Sequence, residues 1–139
     1  MPVTSTPIFP QTIKATPQQI LPATASALVT LYSGGANGSR IDNIVVTSTD
    51  TSNRDLQFYI TSGGTDYLIA TLQAPQGSGN TNNVYPVNVF QSLPFAFLNY
   101  DPNGNKYLYL DSTDVLKVKC TATVTTAKVI QLVTFGGDY

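Results

Sequence analysis

The chain contains no glutamate, no histidine and no tryptophan, and its 139 residues include one cysteine and one methionine. Each absence removes a class of chemistry. General acid–base and nucleophilic catalysis normally recruit His, Glu, Lys, Cys or paired Asp. Here only Asp, Tyr, Lys, Ser and one thiol remain. With Cys120 alone, neither an intrachain disulfide nor a cysteine-built zinc site can form. Charged residues make up 11%, against about 25% in an average soluble domain. The formal charge of −1 provides no basic field to attract nucleic acid or anionic lipid. No apolar run approaches the ~20 residues of a membrane span. The opening Met1-Pro2-Val3-Thr4 lacks the basic start and apolar stretch of a signal peptide. The expectation is a soluble protein made in a cytoplasm, without catalysis, cofactor, metal, nucleic acid or membrane.

Thr, Ser, Asn and Gln take the place of the missing charges. With Glu absent and Thr abundant, a helical bundle is excluded, whereas Thr, Val, Ile, Tyr and Phe suit a pleated surface. The length is that of one domain. Residues 1–10, with Pro2, Pro7 and Pro10, read as an extended arm, because proline fixes its own φ and holds its predecessor extended. Ile8 and Phe9 give that arm apolar side chains with which to dock on a partner. Residues 11–139 read as one antiparallel β-sandwich, jelly-roll-like, of eight or nine strands. Periodicity alone does not choose between jelly-roll and immunoglobulin-like topology.

The expected strands are short and bounded by turn residues. They cover 11–15, 27–32, 40–47, 56–60, 67–72, 84–90, 106–110, 115–125 and 128–135. Pro17 and Pro22 confine the first to a sheet edge. Ser62-Gly63-Gly64-Thr65 is a hairpin turn, and Asn103-Gly104 another. In the strongest alternation, Leu116, Val118, Cys120, Ala122 and Val124 share one face, with Lys117 and Lys119 on the other. With Leu56, Phe58 and Ile60 they form the expected core, where Cys120 acts as a small hydrophobe. Phe58, Tyr67, Phe90, Tyr107 and Phe135 sit at alternating positions and are assigned to the core as well. The Asp101-to-Ser112 stretch starts like a calcium loop, but Lys106 and Ser112 occupy the positions that need Gly and Glu. The end, Gly136-Gly137-Asp138-Tyr139, joins a flexible pair to an aromatic that can dock on a partner.

Several of these pieces together resemble a small virion protein of tailed bacteriophages. They are the Pro/Thr-rich start, Gly38-Ser39-Arg40-Ile41, Leu56 to Ile60 with Gly63-Gly64 and Tyr67 to Ile69, Asn103 to Leu108, and Gly136 to Tyr139. The chain is most similar to a head decoration (cement) protein. The resemblance implies a β-sandwich on the capsid surface, bound to the major capsid protein and to neighbouring copies of itself, commonly as a homotrimer. It carries over no catalytic residue. A neck, tail or fibre component is the first alternative. A carbohydrate-binding sandwich for host adhesion, using exposed tyrosines such as Tyr32 or Tyr85, is the second.

Overall fold

A computed structural model of the chain describes residues 9–24 and 26–139. The arm expected over residues 1–10, and Ile8 within it, lies outside the described residues except for Phe9 and Pro10. Ten strands follow: β1 (Thr12–Ile20), β2 (Val29–Ser33), β3 (Ser39–Ser48), β4 (Arg54–Ser62), β5 (Thr65–Ala74), β6 (Val87–Asn88), β7 (Asn99–Tyr100), β8 (Lys106–Leu110), β9 (Val115–Cys120) and β10 (Ile130–Asp138). One sheet has the order β1-β10-β3-β8-β7, with β6 also paired to β3, and the other has the order β2-β9-β4-β5. All pairings are antiparallel.

Without the two-residue strands β6 and β7, eight strands remain, and their pairing is nested. The first pairs with the last (β1 with β10), the second with the next to last (β2 with β9), then β3 with β8 and β4 with β5. A long hairpin rolled onto itself gives this order, which is the jelly roll. Topology thereby decides what periodicity left open.

The inner faces carry Ile20, Leu31, Ile41, Ile44, Val46, Leu56, Phe58, Leu72, Leu116, Val118, Cys120, Ile130 and Leu132, all buried. The expected core residues take their places, with Ile60 half-buried against the cluster and Val124 buried beyond the end of β9. Gly63 and Gly64 both have positive φ, at 57° and 81°, as a tight hairpin whose twist matches its strands requires.

Several expectations are corrected. The first strand runs on to Ile20, through Pro17, because β1 is an edge strand, where proline is tolerated. The strand expected over 84–90 shrinks to Val87–Asn88; the rest of this region folds inward as loop and a 3-10 turn, Leu93–Phe95. There Phe95 packs edge-on against Phe58 at 5.3 Å and lies 5.8 Å from Phe90, plugging the sandwich with aromatics. The strand expected over 115–125 stops at Cys120, and Ala122 is exposed. Tyr67 and Phe135 are exposed and Tyr107 half-buried rather than core. Tyr32, expected on the surface, is 2% exposed. An extra residue in β2 opposite β9 is the reason: Thr30 faces Lys117, Tyr32 faces Leu116, and Leu31 between them is also buried.

The pair Gly136-Gly137 is not a flexible tail. Both glycines are buried within β10, between β1 and β3. A Cβ on Gly136 would run into the carbonyl oxygen of Arg40, and one on Gly137 would lie 2.7 Å from Pro10 Cβ. The register shifts here as well: Phe135 faces Asn43 and Gly136 faces Ile41, so that Asp42 is an extra residue in β3. This bulge is why Ile41 and Ile44, three residues apart, both point inward.

Candidate protein-interaction surface

Two carboxylates, Asp50 buried and Asp138 half-buried, are both occupied by structural bonds. Asp138 joins four strands: it pairs with Lys14 of β1, and its Oδ1 accepts hydrogen bonds from Tyr32 of β2 at 2.9 Å and Ser39 of β3 at 2.6 Å. Burial pushes the Asp138 carboxyl up, but bonds from Lys14, Ser39 and Tyr32 outweigh it and hold the group below its usual range. Burial and the bond to Asp138 in turn push the Tyr32 phenol up to about 12. Asp50 accepts from Arg54 Nε at 2.8 Å, from Thr125 Oγ1 at 2.6 Å and from the backbone N–H groups of Thr125 and Ser52. Burial opposes ionisation there too, and the Arg54 and Thr125 bonds hold Asp50 far below its ordinary range.

The calcium-like stretch is a capped turn. Asp101 Oδ1 accepts the backbone N–H groups of Asn103 and Asn105, both at 2.9 Å, while Oδ2 takes Arg40 Nη2 at 2.8 Å. Cys120 is fully buried. Among the described residues, no group of three or more His, Cys, Asp or Glu side chains is placed to hold a metal ion.

The informative feature is the outer face of the larger sheet. Inward residues of β1 (Lys14, Thr16, Gln18, Ile20) alternate with outward ones (Ile13, Ala15, Pro17, Gln19). The register sets Ala15 beside Phe135 and Pro17 beside Val133, and Val133 beside Val45 of β3. Ile13 is 88% exposed and Phe135 42% exposed, and no charged side chain interrupts this strip. At one end a shallow groove of about 650 Å³ runs between Pro17, Leu21, Val45 and Val133, rimmed by Gln19, Thr47 and Gln131. At the other end stand Tyr107 and Tyr109 of β8, ring centroids 4.9 Å apart, with the Arg40 guanidinium 4.9 Å from the Tyr107 ring centre. Arg40 is itself neutralised by Asp42 and Asp101, each at 2.8 Å.

The residues expected to meet a partner are placed as follows. Phe9 is 72% exposed, just before β1, and Ile8 lies outside the described residues. Tyr139 packs on its own domain: its ring is 6.2 Å from that of Tyr109, its N–H donates to Gly38 O, and Asn37 donates to its carbonyl. Burial, then the neighbouring Tyr109 hydroxyl, pushes the Tyr139 phenol up to about 12. The sheet-face residues Ile13, Ala15, Pro17, Val45, Val133 and Phe135 were missed as a group. Their signal is the stretch from Val129 to Phe135, apolar at both odd and even positions. In an antiparallel sheet that pattern marks a strand covered on both faces. Compared with protein families and with curated proteins, the chain matches none.

Proposed function

We propose that this chain is a structural virion protein that decorates and stabilises a bacteriophage capsid, attached through the outer face of its larger sheet. The observation that carries the reading is that uncharged, apolar strip of Ile13, Ala15, Pro17, Val45, Val133 and Phe135, outside a core that is already complete. An exposed contiguous apolar surface on a small domain marks an interaction site. Its glutamine and threonine rim supplies hydrogen bonds that do not weaken with salt. The jelly roll is a frequent architecture of viral shell proteins, which agrees with the reading without establishing it. Many copies on one particle make attachment multivalent, so a modest contact per copy suffices. In this reading the partners are the major capsid protein and neighbouring copies of the chain, and the protein resides on the capsid surface.

The test is addition of purified protein to capsids that lack it, followed by sedimentation. Saturable co-sedimentation, with a capsid that resists heat longer, is the expected outcome. Absence of saturable binding removes the reading.

A further inference from the structure

The end of the larger sheet opposite the apolar groove holds a second concavity, of about 320 Å³, lined by Asn37, Ser39, Tyr109, Asp111 and Tyr139. Its aromatic part is already in place. Tyr109 is held edge-on by Tyr107 at 4.9 Å and flanked by Tyr139 at 6.2 Å. Tyr139 is fixed in turn by bonds to Gly38 O and from Asn37 Nδ2. Rings this close leave no room for a ligand between them, so they offer a surface, and Tyr109 remains 56% exposed. The polar part consists of acceptors. Asn37 Nδ2 is used on the Tyr139 carbonyl, and among the described residues no hydrogen bond reaches its Oδ1. Asp111 Oδ1 accepts from the Ser112 N–H, which leaves Oδ2 free in the same sense. Both residues are exposed. No lysine lines the concavity, and the neighbouring Arg40 is spent on Asp42 and Asp101.

We propose that this concavity binds a neutral sugar residue of a glycan, stacked on Tyr109, with its hydroxyls donating to Asn37 Oδ1 and the Asp111 carboxylate. This inference does not depend on the capsid reading. A pyranose carries C–H bonds on its face and hydroxyls around its rim. The C–H face suits the negative face of an aromatic ring, and the hydroxyls bring the donors that the two acceptors lack. The same features select against the other ligands that tyrosines take. A nucleic acid or an acidic glycan would meet Asp111 and Asp42 with no free cation to offset the repulsion. A quaternary ammonium needs rings set around it, whereas these lean on one another. An apolar ligand would strip water from the Asp111 carboxylate and return no hydrogen bond. Because the rings are held before binding, little ordering is required, and a shallow site can still bind measurably.

The test is an array of neutral glucose-, galactose-, mannose- and N-acetylglucosamine-based oligosaccharides, beside sialylated and sulfated ones, probed with the full chain. Calorimetric titration of the best binder follows. Saturable binding of a neutral oligosaccharide is expected. Tyr109→Ala should weaken it by roughly tenfold or more, while Tyr109→Phe, which keeps the ring, should not. Asn37→Ala, at an exposed position, should weaken it by roughly fivefold. The circular dichroism spectrum should be the same in all three variants. Absence of binding to every neutral oligosaccharide would overturn the inference. So would a preference for the acidic ones, or binding that Tyr109→Ala and Asn37→Ala both leave intact.

Discussion

The outer faces of the two sheets are built from the same alternation and end in opposite surfaces. On the smaller sheet, outward positions hold Lys117 and Lys119 of β9, Gln57, Tyr59 and Thr61 of β4, and Asp66, Leu68, Thr71 and Gln73 of β5. Lys119 lies over the Tyr59 ring at 5.6 Å, and Lys117 is 3.8 Å from Asp66. On the larger sheet, Ile13, Ala15, Pro17, Val133, Phe135 and Val45 occupy the corresponding outward positions. The inner faces do not differ in this way, since each presents Leu, Ile and Val to one core. Folding therefore does not require the apolar strip. The dry face of the larger sheet, not needed by the core, is the feature on which the proposed attachment rests, and the charged face of the smaller sheet provides its internal contrast.

The largest expected effect comes from breaking the seam that positions the dry face. In Gly136→Val the added side chain meets the Arg40 carbonyl, backbone that cannot yield cheaply. Stability should fall by about 3 kcal/mol or more, read from denaturant unfolding. Next is Phe135→Lys, half-way out of the surface. It should leave the unfolding midpoint almost unchanged yet cost about 2 kcal/mol in capsid attachment, roughly thirtyfold in affinity. Equal losses of stability and attachment would show that Phe135 serves the core instead.

Acid sharpens the comparison at the level of strands. Asp138 and Asp50 titrate below their ordinary range when folded, so their contribution is present above the unfolded carboxylate pKa of about 4 and is lost as pH falls below it. Because Asp138 ties β1 to β2 and β3, hydrogen exchange in β1 should accelerate on acidification before that in β4 or β9. Asp138→Asn should flatten that difference. Tyr32 and Tyr139, raised to about 12, act at the other limit, and stability should decline from pH about 10 to about 12. The smallest effect belongs to the wet face. Lys119→Ala should change stability by less than about 0.5 kcal/mol and leave attachment intact.

Strands β4, β5 and β8 were legible in the sequence because alternation and turn chemistry agree there. Leu56 and Phe58 alternate up to a glycine pair that needs positive φ, and Lys106–Leu110 is bounded by Asn and Asp turns. The inner face of β9 was legible for the same reason. Three features were not, each because a non-local contact overrides a local pattern. Pro17 gives the edge position but reads as a strand end, and the continuation of β1 to Ile20 shows only in the ladder with β10. The bulges at Leu31 and Asp42 reverse the parity on which inside and outside are read, burying Tyr32 and bringing Ile41 and Ile44 to one side. Gly136-Gly137 signals flexibility in isolation and close packing only once β1 and β3 flank it. The apolar strip combines all three difficulties. It needs the register of β1, β10 and β3 before Ile13, Pro17, Val133 and Phe135 are seen to share a face.

The measurement that tests the central claim most directly compares two double variants in the same capsid-binding titration. Ile13→Lys with Phe135→Lys places two charges on the dry face, and Thr30→Lys with Gln57→Lys places two on the wet one. The account predicts that the first pair loses saturable attachment while remaining folded, and that the second pair binds like the wild type. Retained binding by the first pair, or its loss only in the second, would contradict it.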